Sequence, residues 1–328
     1  MSEAIDKARA AHDASVVLAQ ASASLRSKAI LAAANAVSES RSAILEANGR
    51  DMERGSKAGM PGPLLDRLML ADARIDGIVA GMREVASQAD PIGEVVGGRT
   101  LASGIRLTQV RVPLGVVAMV YEARPNVTAD AICLALRSGN VVVLRGGSAA
   151  HDSCEAIAQA CRDGIASAGL PRDCACIIDS SDRAETRELM HANGLVDVLI
   201  PRGGHSLIRT CVEQATVPVI QTGEGNCHVY VHTSADLDMA ISIIENAKTQ
   251  RPGVCNAIET VLVDEDVAGE FLPRLVSACR NWGVMVHGDE AALTTCAENG
   301  LSESSEYVAA TEDDWVREYD SLDLAVHV

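Results

Sequence analysis

"PNVTADAICLALRSGNVVVLRGGSAAHDSCEAIAQ" (residues 125–159) changes period twice. Apolar residues first recur at helical spacing, which predicts a helix over 126–138. VVVLR (141–145) is then a short β-branched run of strand length. Gly146 and Gly147 break it, and a second helical pattern follows over 149–168. Helix, buried strand, glycine turn and helix, in that order, read as one unit of a parallel sheet covered by helices. The alternation continues outward with a strand at 174–178, a helix at 183–192, a strand at 196–200 (VDVLI), a helix at 205–215 and a strand at 217–221. This predicts an α/β fold with a doubly wound parallel sheet.

Residues 4–50, rich in alanine, read as helices, and a Gly/Pro break at 58–63 (AGMPGP) precedes another helix to about 88. Between 94 and 112 the pattern alternates around glycines, which predicts a hairpin leading into a buried strand. A second α/β set begins near 228: strand HVYVH, helix 236–250, a Pro-Gly loop, strand 259–263, helix 267–281 and strand VMVHG. The acidic tail from 298 reads as an exposed loop. LDLAVHV (322–328) reads as a buried strand with nothing after it, so the expectation is a fold lacking its last elements.

The chain has 328 residues, 48% of them hydrophobic and 22% charged, with one Phe, two Trp and four Tyr, so its core must be aliphatic. A net charge of −17 argues against nucleic-acid or anionic-membrane partners, which need basic surface. Ten cysteines occur without a CxxC pair and without an apolar leader at the N-terminus, which fits reduced thiols in the cytoplasm. The apolar runs fall short of the roughly 20 residues a membrane helix needs. GxGxxG, Walker A, HExxH and GxSxG are absent, and the eight histidines show no ligand spacing, so no metal is expected.

KTQRPGVCNAIETVLV (248–263) places Cys255 after a Pro-Gly turn and before a β-branched run, on a loop between helix and strand. A thiol there is open to substrate, and Lys248, Arg251 or a helix N-terminus would favour its thiolate. Glycines follow three predicted strands: Gly146-Gly147, Gly203-Gly204, and Gly223 with Gly225. Such turns let backbone approach a ligand at the carboxyl edge of a sheet, and the first two precede helix N-termini that favour phosphate. They also suit ordinary strand–helix turns. In YEARPNVTAD (121–130), Asn126 can cap a helix or present its amide to a developing oxyanion, and Arg124 is a surface cation or an anion clamp. His205 and His228 read as structural.

The blocks VPLGVVAMVYEARPNVTAD, GNVVVLRGGS, LIPRGGHSLIR, VPVIQTGEGNCHVYV and NAKTQRPGVCNAIETVLV resemble the gamma-glutamyl phosphate reductases of the aldehyde dehydrogenase superfamily. They cover most of residues 90–263 in the right order, and SLDLAVHV is similar too. The resemblance implies an aldehyde-dehydrogenase-like α/β fold. Residues 1–227 would form N-terminal helices and a Rossmann-like parallel-sheet cofactor domain, with an oligomerisation hairpin at 94–112. Residues 228–328 would form a second α/β catalytic domain, incomplete at its C-terminus. The implied activity is the second step of proline biosynthesis: NADPH reduces L-gamma-glutamyl 5-phosphate to L-glutamate 5-semialdehyde, with phosphate release through a thioester on Cys255.

By the same resemblance, Asn126 and the backbone N–H of Cys255 would stabilise the oxyanion. Arg145, Gly146, Gly147 and Ser148 would meet the adenosine ribose and the 2′-phosphate of NADP, Gly203 and Gly204 the pyrophosphate, and Glu318 the nicotinamide ribose. An acidic substrate calls for cations, and Arg124, Lys248 and Arg251 are the candidates. A cytoplasmic homo-oligomer coupled to glutamate 5-kinase is the implied setting, dimerising if the C-terminal segment is present. Two other readings stand beside this one. The first is an inactive dinucleotide-binding remnant or regulatory subunit. The second is a dehydrogenase that oxidises to the acid, for which Gln221 stands where a deacylating glutamate is sought and Glu224 is the nearby substitute.

Overall fold

Two α/β units divide the chain, Met1–Thr222 and Gly223–Val328. The computed structural model describes residues 2–122, 124–179, 182–221, 225–301 and 307–328, excepting the side chains of Pro63 and His205.

The first unit opens with α1 (Glu3–Ala19), α2 (Ala23–Glu39), α3 (Arg41–Lys57), α4 (Gly62–Leu68) and α5 (Asp72–Ser87). Alanine lets these helices pack closely: Ala4, Ala8, Ala11 and Ala14 make the buried stripe of α1 at three- and four-residue spacing. Ser2 and Ser22 cap α1 and α2 by accepting the N–H groups of Ile5 and Leu25. The antiparallel hairpin of β1 (Val95–Thr100) and β2 (Arg106–Val110) follows and is largely exposed.

Next come β3 (Val116–Tyr121), α6 (Pro125–Arg137), β4 (Val141–Gly146), α7 (His151–Ser167), β5 (Ala175–Ile177), α8 (Arg183–Met190), β6 (Val198–Arg202) and α9 (His205–Gln214). The four strands β3 to β6 form a parallel sheet in the order β5-β4-β3-β6. Because the winding reverses on either side of β3, the switch point lies at its carboxyl end, beside Tyr121 and Glu122. The segment 217–221, expected as a strand, contributes one bridge, Leu199 to Val219. Pro218 accepts from the Leu199 N–H at 2.8 Å but has no N–H with which to extend a ladder.

In the second unit, β7 (Cys227–Val231), α10 (Leu237–Thr249), β8 (Ile258–Val263), α11 (Glu265–Trp282), β9 (Met285–Gly288), α12 (Glu290–Glu298), β10 (Tyr307–Ala309) and β11 (Asp323–His327) build a parallel sheet in the order β10-β9-β11-β8-β7. The tail is less loop-like than its acidity suggests. α12 runs to Glu298, and Tyr307, 1% exposed, brings β10 onto the sheet edge. β11 lies inside the sheet between β9 and β8, as the apolar run 322–328 predicts. No described helix is long and apolar enough to cross a membrane.

Helices α7 and α2 approach closely. A Cβ on Gly164 would lie 2.5 Å from the backbone of Ala33. Gly164→Val is therefore expected to lower stability by about 3 kcal/mol or more through overpacking. Gly49, exposed on α3 with nothing within 4 Å of an added Cβ, should gain about 0.5–1 kcal/mol on change to Ala. Urea denaturation of the two variants checks both signs.

Candidate active site

A cavity of about 460 Å³ opens at the carboxyl edge of the first sheet. Tyr121 and Glu122 reach it from the end of β3, Arg145, Gly147 and Ser148 from the end of β4, and Arg183 and Arg187 from α8. Arg145 is 9% exposed, and its Nη1 donates to the Gly146 carbonyl at 2.9 Å. Burial lowers its guanidinium pKa, and the neighbouring charge of Arg183 lowers it further. Three arginines around one cavity, in a chain of net charge −17, make a local anion-attracting field. The sequence reading chose Arg145, Gly147 and Ser148 but missed Arg183 and Arg187, whose four-residue spacing on one helix is the signal that would have found them. Gly146 packs instead behind the wall, where an added Cβ would meet Cys154 Sγ at 3.4 Å and the Tyr121 hydroxyl at 3.5 Å.

The Gly203-Gly204 turn is exposed, and its one described donor is engaged within the protein. The Gly204 N–H donates to Glu122 Oε2 at 3.1 Å, so the protein's own carboxylate sits on the donor expected for a pyrophosphate. Asn126 is not the helix cap. Arg124 takes the N-cap position of α6 and Pro125 the first turn, while Asn126 Nδ2 donates to Asp130 Oδ2 at 3.2 Å from an exposed position. Arg124 is half-buried.

The second unit carries Cys255. Of the ten cysteines, eight are buried, Cys227 is half-buried and Cys255 is exposed. Burial pushes the buried thiols up, to about 11 for Cys154, Cys176 and Cys211 and about 12 for Cys161, Cys174 and Cys279, so they stay protonated at neutral pH. Cys255 lies on the turn between α10 and β8, where Ala257 N donates to Val254 O at 2.9 Å and Arg251 is exposed. The Cys255 carbonyl packs directly on Gly225: a Cβ there would lie 2.1 Å from that oxygen, so no larger residue fits. Gly225 N donates to Glu318 Oε2 at 3.2 Å, and Cys227 Sγ donates to the Cys255 carbonyl at 3.5 Å. Asn226 ties the same stretch to the chain before Glu318, through Nδ2 to Trp315 O at 2.9 Å. Cys255, Gly225 and Glu318 are thus brought together.

Lys248, which the sequence offers as a substrate cation, has a fully buried side chain in this structure. Its Nζ donates to Glu259 Oε2 at 2.7 Å and to Ile258 O at 2.9 Å, and lies 5.7 Å from the centre of the Tyr319 ring. Burial pushes the Glu259 carboxyl up, and the Lys248 ammonium pulls it back. Tyr319 donates to Asp314 Oδ1 at 2.6 Å and stacks on His287. Burial would raise the Asp314 pKa, but bonds from Tyr319 and Thr311 hold it below the ordinary range. Neither Glu259 nor Tyr319 was singled out in the sequence. Gly223 and Glu224 lie outside the described residues, as does the His205 side chain. Gln221 is exposed.

The aldehyde dehydrogenase family model matches residues 1–312, and the chain belongs to that family. It is 51% identical over 282 residues to a gamma-glutamyl phosphate reductase of Kineococcus radiotolerans, covering 86% of this chain and 64% of that protein. It is 49% identical over 324 residues to one of Moorella thermoacetica, covering 98% and 75%. The crystal structure of gamma-glutamyl phosphate reductase from Thermotoga maritima superposes with a TM-score of 0.91 at 42% identity, covering 100% of this chain and 77% of that one. Within the aldehyde dehydrogenases, the chain falls among the gamma-glutamyl phosphate reductases. It spans under two thirds of the length of the Kineococcus relative and three quarters of the Moorella one.

Two outcomes are expected. Iodoacetamide at neutral pH should label Cys255, and more slowly Cys227, while the eight buried thiols react only after unfolding; peptide mapping reads this. Lys248→Met, which strands the Glu259 carboxylate in the interior, should cost about 3–5 kcal/mol. Adding Glu259→Leu should recover most of that loss, as seen in the urea midpoint of each variant.

Proposed function

We propose that this chain carries the chemistry of NADPH-dependent reduction of L-gamma-glutamyl 5-phosphate to L-glutamate 5-semialdehyde and phosphate. The observation that carries the reading is the single exposed thiol among ten, on a turn whose Cys255 carbonyl packs on Gly225, the residue whose N–H the Glu318 carboxylate accepts. The Cys255 thiolate attacks the acyl carbon, the bond to the phosphate oxygen breaks, and phosphate leaves with the electron pair, giving a thioester on Cys255. When bound, the nicotinamide supplies the hydride that takes this carbon to the aldehyde level. The carbon–sulfur bond then breaks, the thiolate is restored and the aldehyde departs.

The cavity residues fit the adenosine end of a dinucleotide. Arg145 and Arg183 would meet a 2′-phosphate, and Gly147 leaves room for the ribose beside Ser148. Gly146 supports that wall. A pyrophosphate at Gly203 and Gly204 would displace the Glu122 carboxylate. Glu318 is the proposed partner of the nicotinamide ribose, and Asn126 the side-chain donor to the acyl oxyanion, with the backbone N–H of Cys255. Arg251 and Arg124 remain the proposed cations for the substrate's carboxylate. We assign the units accordingly, the first to the cofactor and the second to catalysis, in a cytoplasmic homo-oligomer joined through the β1–β2 hairpin. Its exposed Val95, Ile105 and Leu107 support that use. An acyl phosphate is short-lived in water, which supports supply by a nearby glutamate 5-kinase.

Glutamate semialdehyde, phosphate and NADP⁺ should together produce NADPH absorbance with this protein. Cys255→Ser should slow that rise by roughly 1,000-fold or more. A serine variant that keeps its full rate removes Cys255 from the reaction.

A further inference from the structure

Ten cysteines leave two that are not buried, and those two touch. Cys227 Sγ donates to the carbonyl of Cys255 at 3.5 Å. Cys227 begins β7 at an irregular step in the β7–β8 register, where it pairs with Ile258, three residues beyond Cys255. Gly225, two residues before Cys227, packs its backbone on the same carbonyl. The contact is therefore built by two chain segments held together.

We propose that Cys227 is the resolving thiol of Cys255: a hydroperoxide that oxidises Cys255 is answered by a Cys227–Cys255 disulfide. The thiolate of Cys255 attacks hydrogen peroxide, the O–O bond breaks, and the hydroxide that leaves takes up the proton the thiol released, giving one water and a sulfenic acid. The Cys227 thiol attacks that sulfur, the S–OH bond breaks, and a second water leaves as the S–S bond forms. Two thiols lose two electrons and two protons, and one hydrogen peroxide becomes two waters. Thiols of the cell reverse the step by exchange.

A carbonyl oxygen lies about 2.4 Å from its own Cα by standard bond lengths, so the Cys227 sulfur is within about 6 Å of the Cys255 Cα. In a disulfide each sulfur lies roughly 4 Å from the partner's Cα, so the bridge closes with a shift of at most about 2 Å. The adjustment falls on the turn carrying Cys255, not on a strand or helix. The eight buried cysteines do not compete, because burial keeps peroxide from them. The consequence is protective. A lone sulfenic acid proceeds to sulfinic acid, which thiols do not reverse, whereas the disulfide returns the reactive sulfur intact.

The proposal rests on Cys255 being the reactive thiol of the proposed reaction, and its test separates the two. The protein is treated with limiting hydrogen peroxide and mapped by mass spectrometry without reduction. The expected product is a 227–255 cross-linked peptide, lighter by two hydrogens than the pair of free thiols and released by dithiothreitol. In Cys227→Ser and Cys227→Ala, Cys255 should pass to sulfinic acid, with irreversible loss of alkylatable Cys255 about tenfold faster than in the native protein. Equal rates of irreversible loss in the native protein and both variants would overturn the proposal, as would a native protein in which Cys227 stays free. Acylation of Cys255 by an acyl phosphate is read separately on unoxidised protein. Acylation without the disulfide sinks the resolving role alone, and the disulfide without acylation sinks the reductase reading alone.

Discussion

The Lys248–Glu259 ion pair is the constraint on which the second unit's chemistry depends. A lysine and a glutamate whose side chains are only 0% and 1% exposed each carry a desolvation cost of several kcal/mol, which only their mutual contact and further hydrogen bonds offset. That requirement fixes the end of α10 against the start of β8, since Lys248 also holds the Ile258 carbonyl. The seven residues from 251 to 257 must then turn between these two fixed ends, with Gly253 and Ala257 buried and Cys255 exposed.

The same pair reaches the other chemically important segment. Lys248 sits over the Tyr319 ring, and Tyr319 is anchored by Asp314 and by stacking on His287. Glu318, next in the chain, thereby meets the backbone of Gly225, which in turn lies against the Cys255 carbonyl. Buried polar groups joined in this way stiffen a site beyond what single contacts would do. In the first unit a carboxylate plays a different part. Glu122 satisfies the Gly204 N–H while three arginines line the cavity beside it, so the cavity is anion-attracting yet carries an internal anion at one wall.

Much of this was legible in the residues. The change of period around VVVLR identified a parallel sheet, and the Pro-Gly turn before Cys255 marked that thiol out from nine others. Other features escaped for definite reasons. The 217–221 segment has strand-like composition, but Pro218 has no N–H to donate and the ladder stops. The tail looked solvated because its charges dominate a short window, whereas Tyr307 alone provides the burial that adds β10 to the sheet. Arg183 and Arg187 looked like any solvated helix face.

Periodicity and turn chemistry are local, and they determined the elements, their order, the sheet class and the exposed thiol. Only the tertiary structure decided which charges face water. Lys248 and Glu259 are eleven residues apart and became a buried pair, and Glu122 reached across to Gly204, 82 residues on. Charge burial depends on partners brought together by packing, and a linear pattern carries no record of those distances.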